Sequence, residues 1–256
     1  MAHNEQLEFF SKCFEAFPEI FKNSKSKVID LGSLDINGGP HLLMDVDYLG
    51  SDIGPGPNVD LVCPSQELSF ESGSFDAAIS SECFEHNSFW RESLMQMARL
   101  TKPGGLVIWS AAGIGRAVHG TATAKDKGVS APFVANSNNY YSNLDARKAR
   151  DAINHEGWYD KYFFLENFNS NDTYFFGVRH GGSSAQIAKV ERLRLEMESR
   201  YGKVSTFKFR KLGYFLGLSQ LVEAYFNWLR FARVLMLADK KIYRAKKRFS
   251  EKRFSI

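Results

Sequence analysis

Short runs of β-forming residues alternate with turn or helical segments over the first half of the chain. Strands separated by crossovers of this kind indicate a parallel sheet, because parallel neighbours cannot be joined by a tight turn. Between the last two runs, residues 90–100 (WRESLMQMARL) have the spacing of a helix that ends at the turn residues KPGG. The pattern predicts an α/β fold with strands at residues 27–32, 47–53, 59–62, 75–81 and 105–111.

Helical and aromatic segments flank these strands. Apolar residues at three- and four-residue steps predict one amphipathic helix over residues 5–22, which should cover one face of the sheet. Two aromatic runs, 161–168 and 173–180, surround the turn residues NSND and predict a closing antiparallel hairpin. Residues 112–145 show no period and predict a long loop of the kind that often forms a lid or a binding segment.

The pattern becomes helical after residue 182, so we expect a first domain over residues 1–182 and a helical, basic extension over residues 183–256. Eight Lys or Arg and a single acidic residue, Glu251, occupy residues 240–253. The longest uncharged run of the preceding segment, 212–238, has 11 residues. That is shorter than the ~18 required to span a bilayer.

Three interpretations of this extension stay open. Its helix packs on the first domain or on a second copy in a homodimer, or residues 212–256 lie on an anionic membrane surface, or the basic tail binds nucleic acid. The N-terminal residues MAHNEQLEFF lack the basic start and apolar run of a secretory signal. We therefore expect a cytoplasmic protein, peripheral on the inner face of the membrane if the tail binds lipid. Three cysteines without CxxC spacing predict neither a disulfide framework nor a zinc cluster.

Acidic residues follow two successive predicted strands. Asp30 and Gly32 end the first strand, and Asp52 lies 22 residues further on at the end of the second. A carboxylate at the second position can accept hydrogen bonds from ribose hydroxyls, which favours an adenosine-containing cofactor. The GxGxxG turn that a pyrophosphate requires is missing, and Asp35 in this loop would repel a diphosphate. A cofactor with an ammonium and a sulfonium suits the loop better, which indicates S-adenosylmethionine.

Four motifs in order carry a family resemblance: VIDLGSLDINGG, YLGSDIGPGPNVDLV, SFDAAISSECFEH and RLTKPGGLVIW. They resemble class I S-adenosylmethionine-dependent methyltransferases of the type 11-like group, and in particular a bacterial and viral subgroup with GS-x-D-x-NG in the first loop. The resemblance extends through GRAVHGT, SAPF and YYSNL and covers roughly residues 3–181. It implies a Rossmann-like fold, a seven-stranded and mostly parallel sheet with helices on both faces.

The resemblance also assigns site residues. It implies that Asp30, Gly32 and Ser33 line the methionine end of the cofactor and that Asp52 and Ile53 hold the ribose and adenine. Ser81 and Glu82 should face the cofactor cleft from the end of the fourth strand. The chain departs from the pattern at three places. Leu34 and Ile36 replace loop glycines, Asn87 replaces an aspartate, and Pro64 replaces an acidic residue that binds adenine, for which Ser65 or Gln66 are the substitutes.

We expect His86, His119 and Glu82 to be the catalytic residues. A general base accelerates methyl transfer to a hydroxyl, and the ordinary pKa of histidine suits that role. Glu82 and His86, four residues apart, would share one face if their turn is helical. Structural roles stay open for both histidines, and Tyr140, Tyr141 and Arg116 are candidates for the acceptor pocket. The other histidines show no ligand spacing, so no metal site is predicted.

These observations predict a methyltransferase that modifies an oxygen of a small molecule or glycan. Two alternatives stay open. The first is an RNA methyltransferase that uses the basic tail, and the second is a non-catalytic protein that binds the cofactor or acts as a scaffold. The identity of the acceptor cannot be inferred from the residues.

Overall fold

The computed structural model of the protein describes residues 3–121 and 140–201. Its helices are α1 (Asn4–Ala16), α2 (Pro18–Phe21), α3 (Trp90–Leu100), α4 (Ala146–Arg150) and α5 (Ser184–Tyr201). Its strands are β1 (Lys22–Leu31), β2 (Asp45–Asp52), β3 (Leu61–Val62), β4 (Phe75–Ser81), β5 (Thr101–Ala112), β6 (Tyr159–Asn167) and β7 (Asp172–Arg179). Short 3-10 turns cover Pro40–Leu43, Ser65–Glu67, Phe84–His86 and His155–Gly157.

The seven strands form one sheet in the order β3-β2-β1-β4-β5-β7-β6. The five strands β3, β2, β1, β4 and β5 are parallel to one another, and β7 runs antiparallel to both β5 and β6. The chain builds outwards from β1 in one direction and from β4 in the other, so the strand order reverses between them. Ligands in open α/β sheets bind at such a switch point, beyond the carboxyl ends of the strands. The predicted Rossmann-like, mostly parallel sheet is confirmed.

Helices cover both faces of the sheet. On one face, Phe9, Phe10 and Phe14 of α1 pack with Val190 and Met197 of α5 in one buried cluster. On the other face, α3 and α4 pack against β4, β5 and the hairpin of β6 and β7, in a cluster that includes a Trp109 ring stacked on Phe175. None of the helices in the described part of the chain combines the length and the apolar character that a membrane span requires.

Several element bounds differ from the sequence predictions: strand β1 begins at Lys22 rather than at residue 27, and β3 is limited to Leu61–Val62. The single helix predicted over residues 5–22 is two helices, because Phe17 leaves the helical conformation before Pro18, where a proline disfavours helical geometry in the preceding residue. Strand β5 begins at Thr101, directly after α3, rather than at Gly105. The predicted helix over 90–100 and the predicted hairpin are both confirmed.

Several predictions lie outside the described residues. These are the SAPF segment at 130–133 within the long loop, the predicted helix over 212–238 and the basic tail. Helix α5 begins close to the predicted domain boundary at residue 182, and its Val190, Leu193 and Met197 are buried with the residues of α1.

Candidate active site

A cavity of about 360 Å³ opens at the carboxyl ends of β1, β2 and β4, beside the switch point. Ligand pockets in proteins have volumes of about 300–1,000 Å³, so it can hold a small molecule or cofactor. All nine residues that the resemblance assigns to the cofactor line it: Asp30, Gly32, Ser33, Asp52, Ile53, Ser65, Gln66, Ser81 and Glu82. His86 also lines it, whereas His119 is not among its lining residues.

Asp30 carries a carboxylate that is only partly satisfied. The residue is 2% exposed, and its Oδ2 accepts a hydrogen bond from the Tyr48 hydroxyl at 2.9 Å. Asn58 donates in turn to the Tyr48 oxygen at 2.6 Å, which fixes the phenol. The other oxygen, Oδ1, is buried without a hydrogen-bond partner. Burial raises the pKa of Asp30 to about 7, although the Tyr48 hydrogen bond opposes the rise. A ligand with a cationic donor would satisfy the free oxygen.

Asp52 anchors the first loop at the end of β2. Its Oδ2 accepts the Leu34 N–H at 3.2 Å, and its Oδ1 accepts the Ile53 N–H at 2.7 Å. Burial raises the pKa of Asp52, and these backbone donors oppose the rise. Each carboxylate oxygen has a second lone pair, so the group can still accept hydrogen bonds from a ligand.

The first loop needs glycine at one position in particular. Gly32 has φ +79°, and a Cβ there would lie 2.2 Å from the Cys83 Sγ, because the loop after β1 passes directly against the loop after β4. The loop after β1 accommodates Leu34 and Ile36 at the two positions where the family pattern has glycine. Leu34 extends its side chain over Gly56, and Ile36 is 44% exposed. Asp35 Oδ1 instead closes the turn by accepting the Gly38 N–H at 2.6 Å.

Ser65 and Gln66 lie in the 3-10 turn Ser65–Glu67, which begins directly after Pro64. Ser65 is 5% exposed, and both residues line the cavity. They therefore stand close to Pro64, the position at which the family pattern has an acidic residue that binds adenine. At the third departure, Asn87 accepts the Phe89 N–H at 2.8 Å and donates to the Ser93 hydroxyl at 2.9 Å. The asparagine amide thus ties the turn after β4 to the first turn of α3.

Glu82 and His86 do not share a helical face, which corrects that expectation. Glu82 has φ +51°, in the left-handed region, and only Phe84–His86 form a 3-10 turn. The Glu82 carboxylate turns towards β5, where its Oε1 accepts the Ser110 hydroxyl at 3.1 Å, and its Oε2 lies 3.7 Å from Arg116 Nη2. Burial raises the pKa of Glu82, and the charge of Glu85 adds to the rise. A non-glycine residue in this conformation is strained, and such strain is concentrated at functional sites.

His86 instead meets His119 and Glu85. The two imidazoles approach with their Nε2 atoms 3.3 Å apart, and each Nε2 lies 3.8–3.9 Å from Glu85 Oε1. The Tyr141 ring packs edge-on against both imidazoles, and its hydroxyl donates to the Ala117 carbonyl. Burial lowers the pKa of each histidine to about 4, so both are neutral at pH 7 and each keeps one basic nitrogen.

A second cluster joins the start of α1 to the loop after β5 and to the first residue of β7. His3 Nε2 lies 3.0 Å from Asp172 Oδ2, and Arg116 Nη1 donates to Asp172 Oδ1 at 2.7 Å. Gln6 donates to the hydroxyls of Ser81 and Ser110, which connects α1 to the cavity. Burial lowers the pKa of His3, but the hydrogen bond to Asp172 raises it above its ordinary value. Arg116, a candidate for the acceptor pocket, is therefore engaged in an ion pair and does not line the cavity.

Sequence reasoning missed Glu85, His3, Gln6 and Asp172. One signal was present, since His3 and Gln6 occupy the first and fourth positions of a helix-capping box, and both capping hydrogen bonds are made. Tyr140, the remaining acceptor candidate, packs at the edge of the second core cluster. No spacing in the sequence pairs Glu85 or Asp172 with the histidines that they contact in the structure.

The cavity carries a pronounced negative character. Four carboxyl groups line it, those of Asp30, Asp35, Asp52 and Glu82, and no Lys or Arg is among its described lining residues. Glu82 lies 3.7 Å from Arg116 and Asp35 lies 3.4 Å from His41, whereas Asp30 and Asp52 have no basic side chain beside them among the described residues. Carboxylates of the latter kind in a partly desolvated pocket attract cations and disfavour phosphates. The pocket is therefore suited to a ligand with positive charge.

Comparison with known proteins agrees with this chemistry. Residues 47–109, from β2 to β5, match the sequence family described as a methyltransferase domain. The match confirms the predicted enzyme class and cofactor, a methyltransferase that depends on S-adenosylmethionine. The finer subgroup with GS-x-D-x-NG in its first loop is not confirmed by it. No curated protein matches the sequence.

Solved structures with similar folds were also found. The first is the Burkholderia thailandensis 1,6-didemethyltoxoflavin-N1-methyltransferase with bound substrate and S-adenosylhomocysteine, at 13% identity over 68% of this chain and 78% of that chain, with a TM-score of 0.46. The YcgJ protein from Bacillus subtilis is 14% identical over 70% of this chain and all (100%) of that chain, with a TM-score of 0.45. The CurJ carbon methyltransferase is 12% identical over 66% of this chain and 52% of that chain, with a TM-score of 0.45.

The residues present fit S-adenosylmethionine. The free Asp30 oxygen offers an acceptor for an ammonium, and the Asp52 carboxylate at the end of β2 offers acceptors for a diol. The acidic lining tolerates a sulfonium, and the volume accommodates a molecule of this size.

Proposed function

We propose that this protein transfers the methyl group of S-adenosylmethionine to an oxygen of a small molecule or a glycan. The observation that carries the proposal is the position of the neutral His86 and His119 pair at the edge of the acidic cavity. A hydroxyl must lose a proton during methyl transfer, and a neutral imidazole has a ring nitrogen that can accept it. The burial that lowers the pKa of both histidines to about 4 keeps them in this neutral form at pH 7.

The cofactor supplies, when bound, a methyl group on a positively charged sulfur. Asp30, Gly32 and Ser33 bind its methionine end, and Asp52 and Ile53 bind its ribose and adenine. Ser65 and Gln66 border the adenine, while Ser81 and Glu82 close the cleft from the end of β4. By holding the donor rigidly, these residues align it for in-line displacement, and good alignment alone contributes on the order of 10⁵ M in effective concentration.

The proton of the acceptor hydroxyl passes to an imidazole as the oxygen attacks the methyl carbon. His119 holds its Nδ1 against the Ala117 carbonyl at 3.0 Å, so Nδ1 carries the hydrogen and Nε2 is the basic atom. His86 lies beside it and lines the cavity. Tyr141, which packs on both rings, positions them. Glu82 lines the same cavity at the end of β4, and its carboxyl oxygens are the polar groups that we assign to the sulfonium end of the donor.

The test is a screen of acceptors by mass spectrometry with the purified chain, together with calorimetry of S-adenosylmethionine binding. His86→Ala and His119→Ala should each lower turnover on the order of 10²-fold or more, with donor affinity nearly unchanged. His180→Ala is the matched control, since His180 pairs with Asp160 at the protein surface. Wild-type turnover in both His86→Ala and His119→Ala would remove these histidines from catalysis.

We also propose a partner for the C-terminal extension. Residues 212–256 combine aromatic residues with the eight basic side chains of 240–253, a composition that suits an anionic membrane surface. Self-association through the same segment and binding of RNA are the alternatives. Flotation with vesicles that contain anionic lipid tests the first, and sedimentation and salt-dependent RNA binding test the others.

A further inference from the structure

Glu85 is the least satisfied charged side chain next to the cavity. The residue is 0% exposed, and neither carboxylate oxygen has a hydrogen-bond partner. Burial raises the pKa of Glu85 to about 7, and the backbone N–H groups of Glu85 itself and of Ala112 oppose the rise without completing a hydrogen bond to the carboxylate. Among the described residues, only His86 and His119 bring a basic nitrogen within 4.0 Å of it. A buried carboxylate in this state is costly unless a cation or donor compensates it.

We propose that Glu85, His86 and His119 bind one Zn²⁺ ion. Glu85 Oε1 and the two imidazole Nε2 atoms lie within 4.8 Å of one another. Two ligands at ~2.0–2.1 Å from Zn²⁺ with tetrahedral geometry lie about 3.3–3.4 Å apart. The two Nε2 atoms are 3.3 Å apart, and the carboxylate oxygen at 3.8–3.9 Å needs to move by only about half an ångström to complete the set.

The surroundings of the histidines support metal binding. His119 donates from Nδ1 to the Ala117 carbonyl, the outer contact that metal-bound histidines typically make, and this leaves the lone pair on Nε2, which lies 3.8 Å from Glu85 Oε1. His86 Nδ1 is buried without a partner, and among the described residues its Nε2 has only the His119 Nε2 within hydrogen-bond distance, at 3.3 Å. An ion bound between the two nitrogens would replace this contact, with the hydrogen of His86 on Nδ1. The Tyr141 ring holds both imidazoles in place. The set of two histidines and one carboxylate leaves one position open, as in catalytic zinc sites.

A comparison within the same molecule sharpens the assignment. His3, Glu82 and Asp172 form a second group of similar composition. There the Arg116 guanidinium already donates to Asp172 at 2.7 Å and lies 3.7 Å from Glu82. Its positive charge compensates the two carboxylates, so this group does not need a metal ion. The Glu85 group has no such partner among the described residues.

The role of the ion deepens the proposed function and rests on it. Zn²⁺ lowers the pKa of a bound water to about 7. An acceptor hydroxyl at the open position would be acidified in the same way and would release its proton to solvent. The O–CH₃ bond would then form as the S–CH₃ bond breaks, and the sulfur would leave with the electron pair as a neutral thioether. In this arrangement the histidines act as ligands, and the ion replaces them as the means of activating the acceptor.

Zinc binding is tested on the full chain without an affinity tag. We expect one Zn²⁺ per chain by elemental analysis after exposure to zinc and dialysis, and an increase of the unfolding temperature with zinc concentration. Glu85→Gln, which keeps the shape of the side chain, and His119→Ala should each lower the zinc content below about a tenth of an ion per chain. His180→Ala should retain the full ion.

The outcomes separate this inference from the proposed function, because zinc binding is measured without the methyl donor. No bound zinc in the wild type, or equal zinc in wild type and Glu85→Gln, would overturn the inference. If a chelator leaves methyl transfer unchanged while His119→Ala abolishes it, the histidines act as bases and the inference is also overturned. Bound zinc in a chain that fails to bind S-adenosylmethionine would overturn the proposed function alone.

Discussion

Replacing Asp30 with asparagine should stabilise the protein at alkaline pH and weaken its affinity for the methyl donor. Asparagine has nearly the same shape as aspartate, so the substitution removes the buried charge with little change in packing. In the wild type, burial raises the pKa of Asp30 from 3.8 to about 7. Two properties, stability and donor binding, should therefore change in opposite directions.

The sign and size of the change in the free energy of unfolding follow from proton linkage. Because the pKa is raised in the folded state, the folded protein binds this proton more tightly than the unfolded chain does. The stability associated with it is complete below pH ~4 and is lost as the pH rises to about 7. Each pKa unit corresponds to about 1.4 kcal/mol, so between pH ~5 and pH ~8.5 the wild type loses about 2–3 kcal/mol that Asp30→Asn keeps. Other carboxyl groups titrate in both proteins, and their effects cancel in the difference.

The assay is denaturant unfolding of both proteins at the two pH values, with calorimetry of S-adenosylmethionine binding at about pH 8.5. We expect the stability advantage of Asp30→Asn to grow by about 2–3 kcal/mol with pH, and its donor affinity to fall about 10- to 100-fold through loss of a charged acceptor. Asp47→Asn, an exposed change on β2, is the control. Parallel pH dependences for Asp30→Asn and wild type, or equal donor affinities, would refute the reasoning.

Three further predictions concern the loop, the ribose acid and the tail. Gly32→Ala should lower the free energy of unfolding by about 2 kcal/mol or more, whereas Gly38→Ala should lower it by only about 1 kcal/mol. Both glycines have positive φ, but the atom nearest to an added Cβ is at 2.2 Å for Gly32 and at 3.5 Å for Gly38. Equal losses in denaturant unfolding would count against the close packing at Gly32. Asp52→Ala should weaken donor binding about 100-fold by calorimetry, through the loss of two charge-assisted hydrogen bonds, with Asp47→Ala as the control; unchanged affinity would remove Asp52 from the ribose site. Changing the basic residues of 240–253 to glutamine should abolish flotation with anionic vesicles, and flotation that persists would exclude the charge-driven membrane contact.

Much of the fold was predictable because its signals are local. The apolar runs that became β1, β2, β4 and β5 are bounded by turn residues, and the 90–100 helix ends where its period ends. Hydrophobic periodicity and turn chemistry act over a few residues and can be recognised in the chain alone. The break at Phe17 was missed even so, although Pro18 was visible, because the apolar period continues across it.

The cofactor cavity was predictable for a different reason. In a parallel sheet, residues that follow successive strands meet at one edge, so Asp30, Asp52 and Ser81 could be brought together by counting strands. The partners of Glu82 could not be found in this way. Its left-handed conformation turns the carboxylate towards Ser110 and Arg116, which no spacing in the sequence indicates.

The amino-acid sequence by itself determined the strands, the parallel sheet and the acids that ring its edge, since each depends on periodicity or on position at a strand end. Only the tertiary structure decided that Glu85 meets His119 and that His3 meets Asp172. These contacts join residues 34 and 169 positions apart in the chain. They arise where the loops after β4 and β5 and the start of α1 are packed together, and burial away from water is what gives their charges and lone pairs chemical significance.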